Sequence, residues 1–299
     1  MNPFLARLGF QPDDRVIILH ADDLGMCHAV NAAFMDIAAV APVASGSVMI
    51  PCPWVSELAA FAKAQPKVDI GVHITLTSEW RGYRWRPLSA HTSRGTLLDA
   101  QGYLWADVDS LHAHMDPAEA IAEMQAQVEY ALNLGFDITH IDTHMGAVAH
   151  PGLVQAYVEL GLTYGIPVMI PRPTEENIRR YDISPQTMSA IKKLLDQFGQ
   201  DSPMPIIDRV TDLYDAPGAT RREQYQNLIE SLPPGLTHLL YHPACPFPEI
   251  KAITATDRWT SRVADWEVFT DPAFWDWLAR SGVHLIGYRD LREALPQRT

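Results

Sequence analysis

Short apolar runs alternate with helix-length amphipathic stretches along almost the whole chain. Residues 16–20, 46–50, 70–75, 138–142, 167–170, 206–210, 238–241 and 284–287 read as strands of four to six residues. Most are continuously hydrophobic, as parallel strands covered on both faces must be. Between them, residues 29–40, 54–64, 117–134, 152–164, 184–198, 220–231 and 272–280 read as helices. Asp116-Pro117 supplies an N-cap and a first-turn proline for the third of these, and Gly135 ends it. Repeated strand-then-helix units imply right-handed crossovers and a parallel sheet. Seven or eight such units in this length predict an α/β fold: a single (β/α) barrel, TIM-like and irregular, rather than an open doubly wound sheet. No Gly-x-Gly-x-x-Gly follows the first strand, which removes the usual support for dinucleotide binding.

The alternation breaks once. Residues 78–115 form a long polar stretch rich in tryptophan and tyrosine. A connection of that length is functional or disordered, and its aromatics argue for order. It reads as an insertion after the third strand that lies over the barrel mouth as a lid. No linker or repeat divides the remainder, so residues 1–299 read as one domain.

Charge and cysteine content narrow the setting. A net charge of −13 argues against a nucleic-acid partner, which needs clustered Lys and Arg. No run of 18 apolar residues predicts a membrane span, and no basic segment followed by an apolar run opens the chain. Three cysteines without a Cys-x-x-Cys pair suit free thiols in a reducing compartment, so a cytoplasmic location is expected.

Candidate chemistry collects where strands end, the place a barrel builds its site. The first strand ends in His20-Ala21-Asp22-Asp23-Leu24-Gly25, the third in Gly71-Val72-His73, the fourth in His140-Ile141-Asp142-Thr143-His144, and the seventh in Tyr241-His242-Pro243. A carboxylate with two neutral imidazoles is a donor set for one divalent transition-metal ion with positions left for water and substrate. Successive side chains of an extended segment point opposite ways, so one aspartate of the pair could reach the metal while the other faces the bound water as a base. Alone, Asp22-Asp23 is equally a helix N-cap with a first-turn acid, and His73 a satisfied core histidine.

The motifs HADDLG, GVHITLT, HIDTH and YHP, in that order, resemble the YdjC-like family of chitooligosaccharide and hopanoid deacetylases, a variant of the polysaccharide deacetylase barrel. The resemblance runs from Val16 to about Leu295. It implies a metal-dependent carbohydrate N-deacetylase with Asp22 as base, Asp23, His73 and His144 as metal ligands, and His242 protonating the leaving amine or orienting the substrate. The implied cofactor is one divalent ion, zinc foremost, with magnesium, manganese, cobalt or nickel as alternatives. The implied partner is a small N-acetylated sugar, and a homodimer is the oligomer to be tested. The chain departs from the family at Gly146 and Val148, where further histidines are common, and in reading His-Pro-Ala at the last motif.

Other residues carry weaker signals. Asp142 is expected to hold an imidazole's tautomer from behind rather than bind metal. His140 is expected to be structural. Arg172 is either a surface arginine or a cation that orients substrate, and Asp208 stands similarly. Trp80 and Trp85, with Tyr83, Tyr103 and Trp105, either pack the insertion or stack on sugar rings. Cys27 reads as a small buried residue, and no Gly-x-Ser-x-Gly elbow supports serine chemistry. Two rival readings stay open: a metal-dependent sugar isomerase or phosphoesterase on the same barrel, and a non-catalytic sugar-binding protein.

Overall fold

The computed structural model describes residues 2–89, 95–180, 183–198, 202–213, 219–254 and 257–296. Their strands, in chain order, are β1 (Arg15–Leu24), β2 (Ser45–Val48), β3 (Asp69–Ile74), β4 (Ile138–Thr143), β5 (Ile170–Pro171), β6 (Ile206–Ile207), β7 (Arg209–Thr211), β8 (Gly235–Tyr241) and β9 (Val283–Leu285). Six lie side by side in the order β4–β3–β2–β1–β8–β7, all parallel, and β9 pairs with residues 15–17 of β1. Ile141 bridges Val168, β5 pairs with β6, and the Asp208 N–H donates to Leu236 O, so hydrogen bonds continue around the remaining side. The expected irregular (β/α) barrel is therefore the fold.

Its irregularity has a local cause. The run expected as one strand over 206–210 is split at Asp208, whose carboxylate accepts from Asn2 Nδ2 at 2.9 Å, Leu236 N at 3.0 Å and Arg172 Nε at 2.8 Å. The run expected at 167–170 contributes only the bridge at Val168 and then β5. Helices Pro117–Asn133, Val154–Tyr164, Arg221–Ser231 and Pro272–Arg280 lie close to their expected places. Helices Pro3–Arg7, Val108–His114, Glu175–Arg180, Pro248–Thr254, Arg258–Phe269 and Tyr288–Glu293 were not anticipated. Residues 90–94 of the insertion lie outside the described residues; the rest runs without helix or strand, apart from a bridge between Leu98 and Leu104, until helix Val108–His114. Among the described residues no helix is long and apolar enough to cross a membrane, and Cys27, Cys52 and Cys245 are free and buried.

The period of two along each strand sorts side chains between two cores. Ile17, Leu19 and Ala21 of β1 pack in the larger core with the helices. Val16 and Ile18 belong to a second core with Leu236, Ile207, Val210 and Met169, joined by Phe4, Leu5 and Leu291 from the terminal helices. Continuing on that second face of β1, β4 and β8 come His20, His140 and His238, and then Asp22, Asp142 and Leu240. The interior thus passes from apolar packing through a histidine layer to the acids.

Gly71 shows how tightly that layer is built. A Cβ there would meet three atoms of the His140 ring at 2.5–2.6 Å. The ring cannot withdraw, because it stacks on Tyr288 at 3.9 Å and its Nε2 lies 2.7 Å from His20 Nε2. Gly71→Ala should destabilise the protein by about 1–3 kcal/mol through overpacking, read as a lower midpoint in thermal or urea unfolding. An unchanged midpoint would show that the histidine layer has room to shift.

Candidate metal and catalytic site

The acids and histidines flagged at strand ends come together above the histidine layer. Asp23 Oδ1 lies 3.7 Å from His73 Nε2 and 3.2 Å from His144 Nδ1. All three residues are buried, and their donor atoms lie within 4.8 Å of one another. Asp22 Oδ2 lies 3.9 Å from both His73 Nε2 and His242 Nε2.

The aspartates do not converge by simple strand alternation, which would send them to opposite faces. Asp23 sits at φ = 67°, in the left-handed region that non-glycine residues rarely occupy, and the pairing of β1 with β2 slips between Ala21 and Leu24. That kink brings both carboxylates to the same imidazole nitrogen. Met145, directly after His144, is the other described non-glycine residue with positive φ, at 53°. Backbone strain at two points of one cluster is typical of a functional site.

Each group is held from behind. His73 Nδ1 donates to Asp142 Oδ1 at 2.8 Å, and Ser47 Oγ donates to Asp142 Oδ2 at 2.9 Å, which leaves His73 Nε2 toward the cluster. His144 Nε2 faces Glu79 Oε2 at 3.1 Å, which leaves its Nδ1 toward Asp23. Arg262 Nη2 donates to Asp23 Oδ2 at 2.6 Å. Asp22 Oδ1 accepts from His20 Nδ1 at 2.7 Å. His20 Nε2 lies 2.7 Å from His140 Nε2, and His140 Nδ1 lies 3.0 Å from Thr139 Oγ and 3.7 Å from Asp69 Oδ1. The chain of contacts from His140 through His20 ends on Asp22.

The charges follow from these contacts. Burial alone would raise the pKa of Asp23, but Arg262 first, and then His144, hold it well below the usual carboxylate range. Asp22 is also lowered against the effect of burial, by the His20 hydrogen bond and the nearby His73. Burial disfavours charge on His144, yet Glu79 and Asp23 push its pKa up to about 10. Burial depresses His140.

Four groupings of buried histidine and aspartate occur among the described residues, and three are hydrogen-bonded networks. His20 and His140 are joined at 2.7 Å, His20 and Asp22 at 2.7 Å, and His73 and Asp142 at 2.8 Å. The Asp23, His73 and His144 grouping contains no such bond. Its central atom, Asp23 Oδ1, is buried without a hydrogen-bond partner. A buried acceptor left open costs about 1–3 kcal/mol unless something fills the place. The donor chemistry and that open oxygen fit a divalent cation.

The remaining candidates are placed as follows. His242 is half-buried at the cluster's edge, its backbone N–H donating to Asp265 Oδ2 at 3.1 Å. Trp85 is buried: its indole N–H donates to Thr77 O at 2.7 Å and its ring lies 6.4 Å from that of His144. Trp80 is buried as well, and Tyr83 OH donates to Met26 O at 2.6 Å. The structure does not bring Arg172 to the cluster; its guanidinium is paired with Asp208. Sequence reading passed over Arg262, Glu79 and Ser47. Glu79 had a usable signal, a polar residue a few positions beyond the third strand, and Ser47 a weaker one, a polar residue inside the expected strand 46–50. Arg262 had none, since its helix was not anticipated.

A family model described as YdjC-like protein matches residues 16–280, and the chain belongs to that family. A carbohydrate deacetylase of Thermus thermophilus is 35% identical over 97% of this chain and 98% of its own length. One from Thermoanaerobacter pseudethanolicus is 24% identical over 93% of this chain and the whole of its own. Among solved structures, an Enterococcus faecalis protein named for cellobiose-phosphate cleavage superposes with a TM-score of 0.73 at 21% identity, covering 93% of this chain and 99% of that one. At that identity it bears out the fold.

Proposed function

We propose that this protein is a metal-dependent carbohydrate N-deacetylase. The observation that carries the reading is the buried Asp23, His73 and His144 donor set, open at Asp23 Oδ1, with a second carboxylate beside it. The carbohydrate deacetylases related over nearly the full chain support the reaction class. Asp23, His73 and His144 would hold one divalent ion, zinc foremost. When bound, that ion supplies polarisation of the amide carbonyl and a lowered pKa for water.

The residues around it divide the remaining work. Asp22, fixed at Oδ1 by His20, offers Oδ2 to take the proton of the attacking water. His242, 3.9 Å from that oxygen, either delivers a proton to the departing amine or orients the substrate. Asp142 and Glu79 hold the two imidazoles. The insertion, through Trp85, keeps water from the His144 side. One open donor set supports a single ion, which disfavours a two-metal phosphoesterase.

Acetate release from N-acetylglucosamine and its short oligomers, with and without a chelator, tests the reading. Activity should vanish with the chelator and return on adding zinc or cobalt. Acetate release that is indifferent to chelation would defeat metal dependence. His73→Ala and His144→Ala should each lose the metal by elemental analysis; full occupancy in His144→Ala would remove that residue from the donor set.

A further inference from the structure

A cavity of about 250 Å³ opens from the cluster, bounded at one end by Asp22, His73, His144 and His242. Its apolar wall includes Val154, Val158, Met169, Ile170, Ile191 and Leu240, from two helices, β5 with the residue before it, and β8. Beyond Asp22, His73, His144 and His242, the polar side chains in the described lining are Asp142, Thr143, Tyr157, Asp212 and His238. Tyr157 OH donates to Ile141 O at 2.8 Å, and Thr143 Oγ accepts from Val148 N at 3.3 Å.

This is poor surroundings for a sugar ring. Each hydroxyl carried inside needs a polar partner, and most of this wall has none. It is also far more room than an acetyl methyl needs. An apolar cavity of roughly 150 Å³ admits a benzene ring. The occupant is therefore apolar and several carbons in size. On the deacetylase reading, on which this inference rests, the cavity begins at the residues that flank the reacting carbonyl. The group bonded to that carbon can enter without drawing the sugar hydroxyls after it. An apolar aglycone would have the sugar ring between itself and the amide.

We propose that the enzyme accepts amino sugars whose N-acyl group is longer than acetyl, of about four carbons or more, with the chain seated in this cavity.

The test is calorimetric binding of N-acetyl-, N-butyryl- and N-hexanoylglucosamine to the full chain, beside the hexyl glycoside of N-acetylglucosamine. Affinity in the acyl series should rise about fourfold per methylene until the cavity is full. Val158→Trp, and independently Ile191→Trp on the second helix of the wall, should cancel that rise while leaving N-acetylglucosamine binding unchanged. A flat acyl series, a gain confined to the hexyl glycoside, or a gain that survives both substitutions would overturn the proposal. Rising affinity with no acid released from any of the amides would sink the deacetylase reading and, with it, the claim that these compounds are substrates, leaving the cavity only as a binding site for the acyl chain. Hydrolysis of N-acetylglucosamine with a flat series would sink this inference alone.

Discussion

Asp22→Asn should leave the metal in place and lower kcat by roughly 10²–10⁴, the usual contribution of a positioned general base. The substitution keeps the shape of the side chain, and His20 can still donate to the amide oxygen, so the geometry beneath the site should persist. What disappears is the basic oxygen facing His73 and His242 at 3.9 Å. Asp23→Asn should behave differently, because it weakens the carboxylate whose Oδ1 lies between the two imidazoles. Metal content and kcat of the two variants, measured side by side, separate base from ligand. If Asp22→Asn strips the metal while Asp23→Asn retains it, the roles of the pair are reversed.

Much of the site could be read from the chain because strand ends announce themselves. Asp22, Asp23, His73, His144 and His242 each follow an apolar run, and the barrel gathers such positions at one face. What could not be read depended on geometry that no local pattern encodes. The continuous run at 16–20 does not say which face is interior, so the chain His140–His20–Asp22 stayed hidden although all three residues had been noticed. The left-handed kink at Asp23 is invisible in the residue type. Arg172 reads from the sequence as either a surface arginine or a cation that orients substrate, and its partner Asp208 lies 36 residues further on. Arg262 acts across 239 residues on Asp23, from a helix whose sequence RWTSRVADWEVF has no clean apolar stripe.

Arg262 is also where the protein should respond most strongly in stability. Its guanidinium is buried and its Nη2 lies 2.6 Å from Asp23 Oδ2. Removing one partner of a buried ion pair costs up to about 3–5 kcal/mol when the other charge is left alone, and here His144, 3.2 Å from Asp23 Oδ1, offsets part of that cost. Arg262→Met keeps most of the side-chain volume and should lower the stability of the metal-free protein by up to that amount. The metal would act on the opposite oxygen of the same carboxylate, so guanidinium and cation share one negative charge and repel each other. The variant should therefore bind the divalent ion more tightly than the parent, and the ion should raise its melting temperature by more. On the proposed metal reading, Arg262 would keep Asp23 ionised and aimed for the ion, and would leave a bound ion less neutralised and so a stronger acid. Thermal unfolding with and without zinc, together with a competitive chelator titration, measures both sides of this balance. Weaker zinc binding in Arg262→Met would mean that the arginine acts mainly by fixing the position of Asp23, with charge competition secondary.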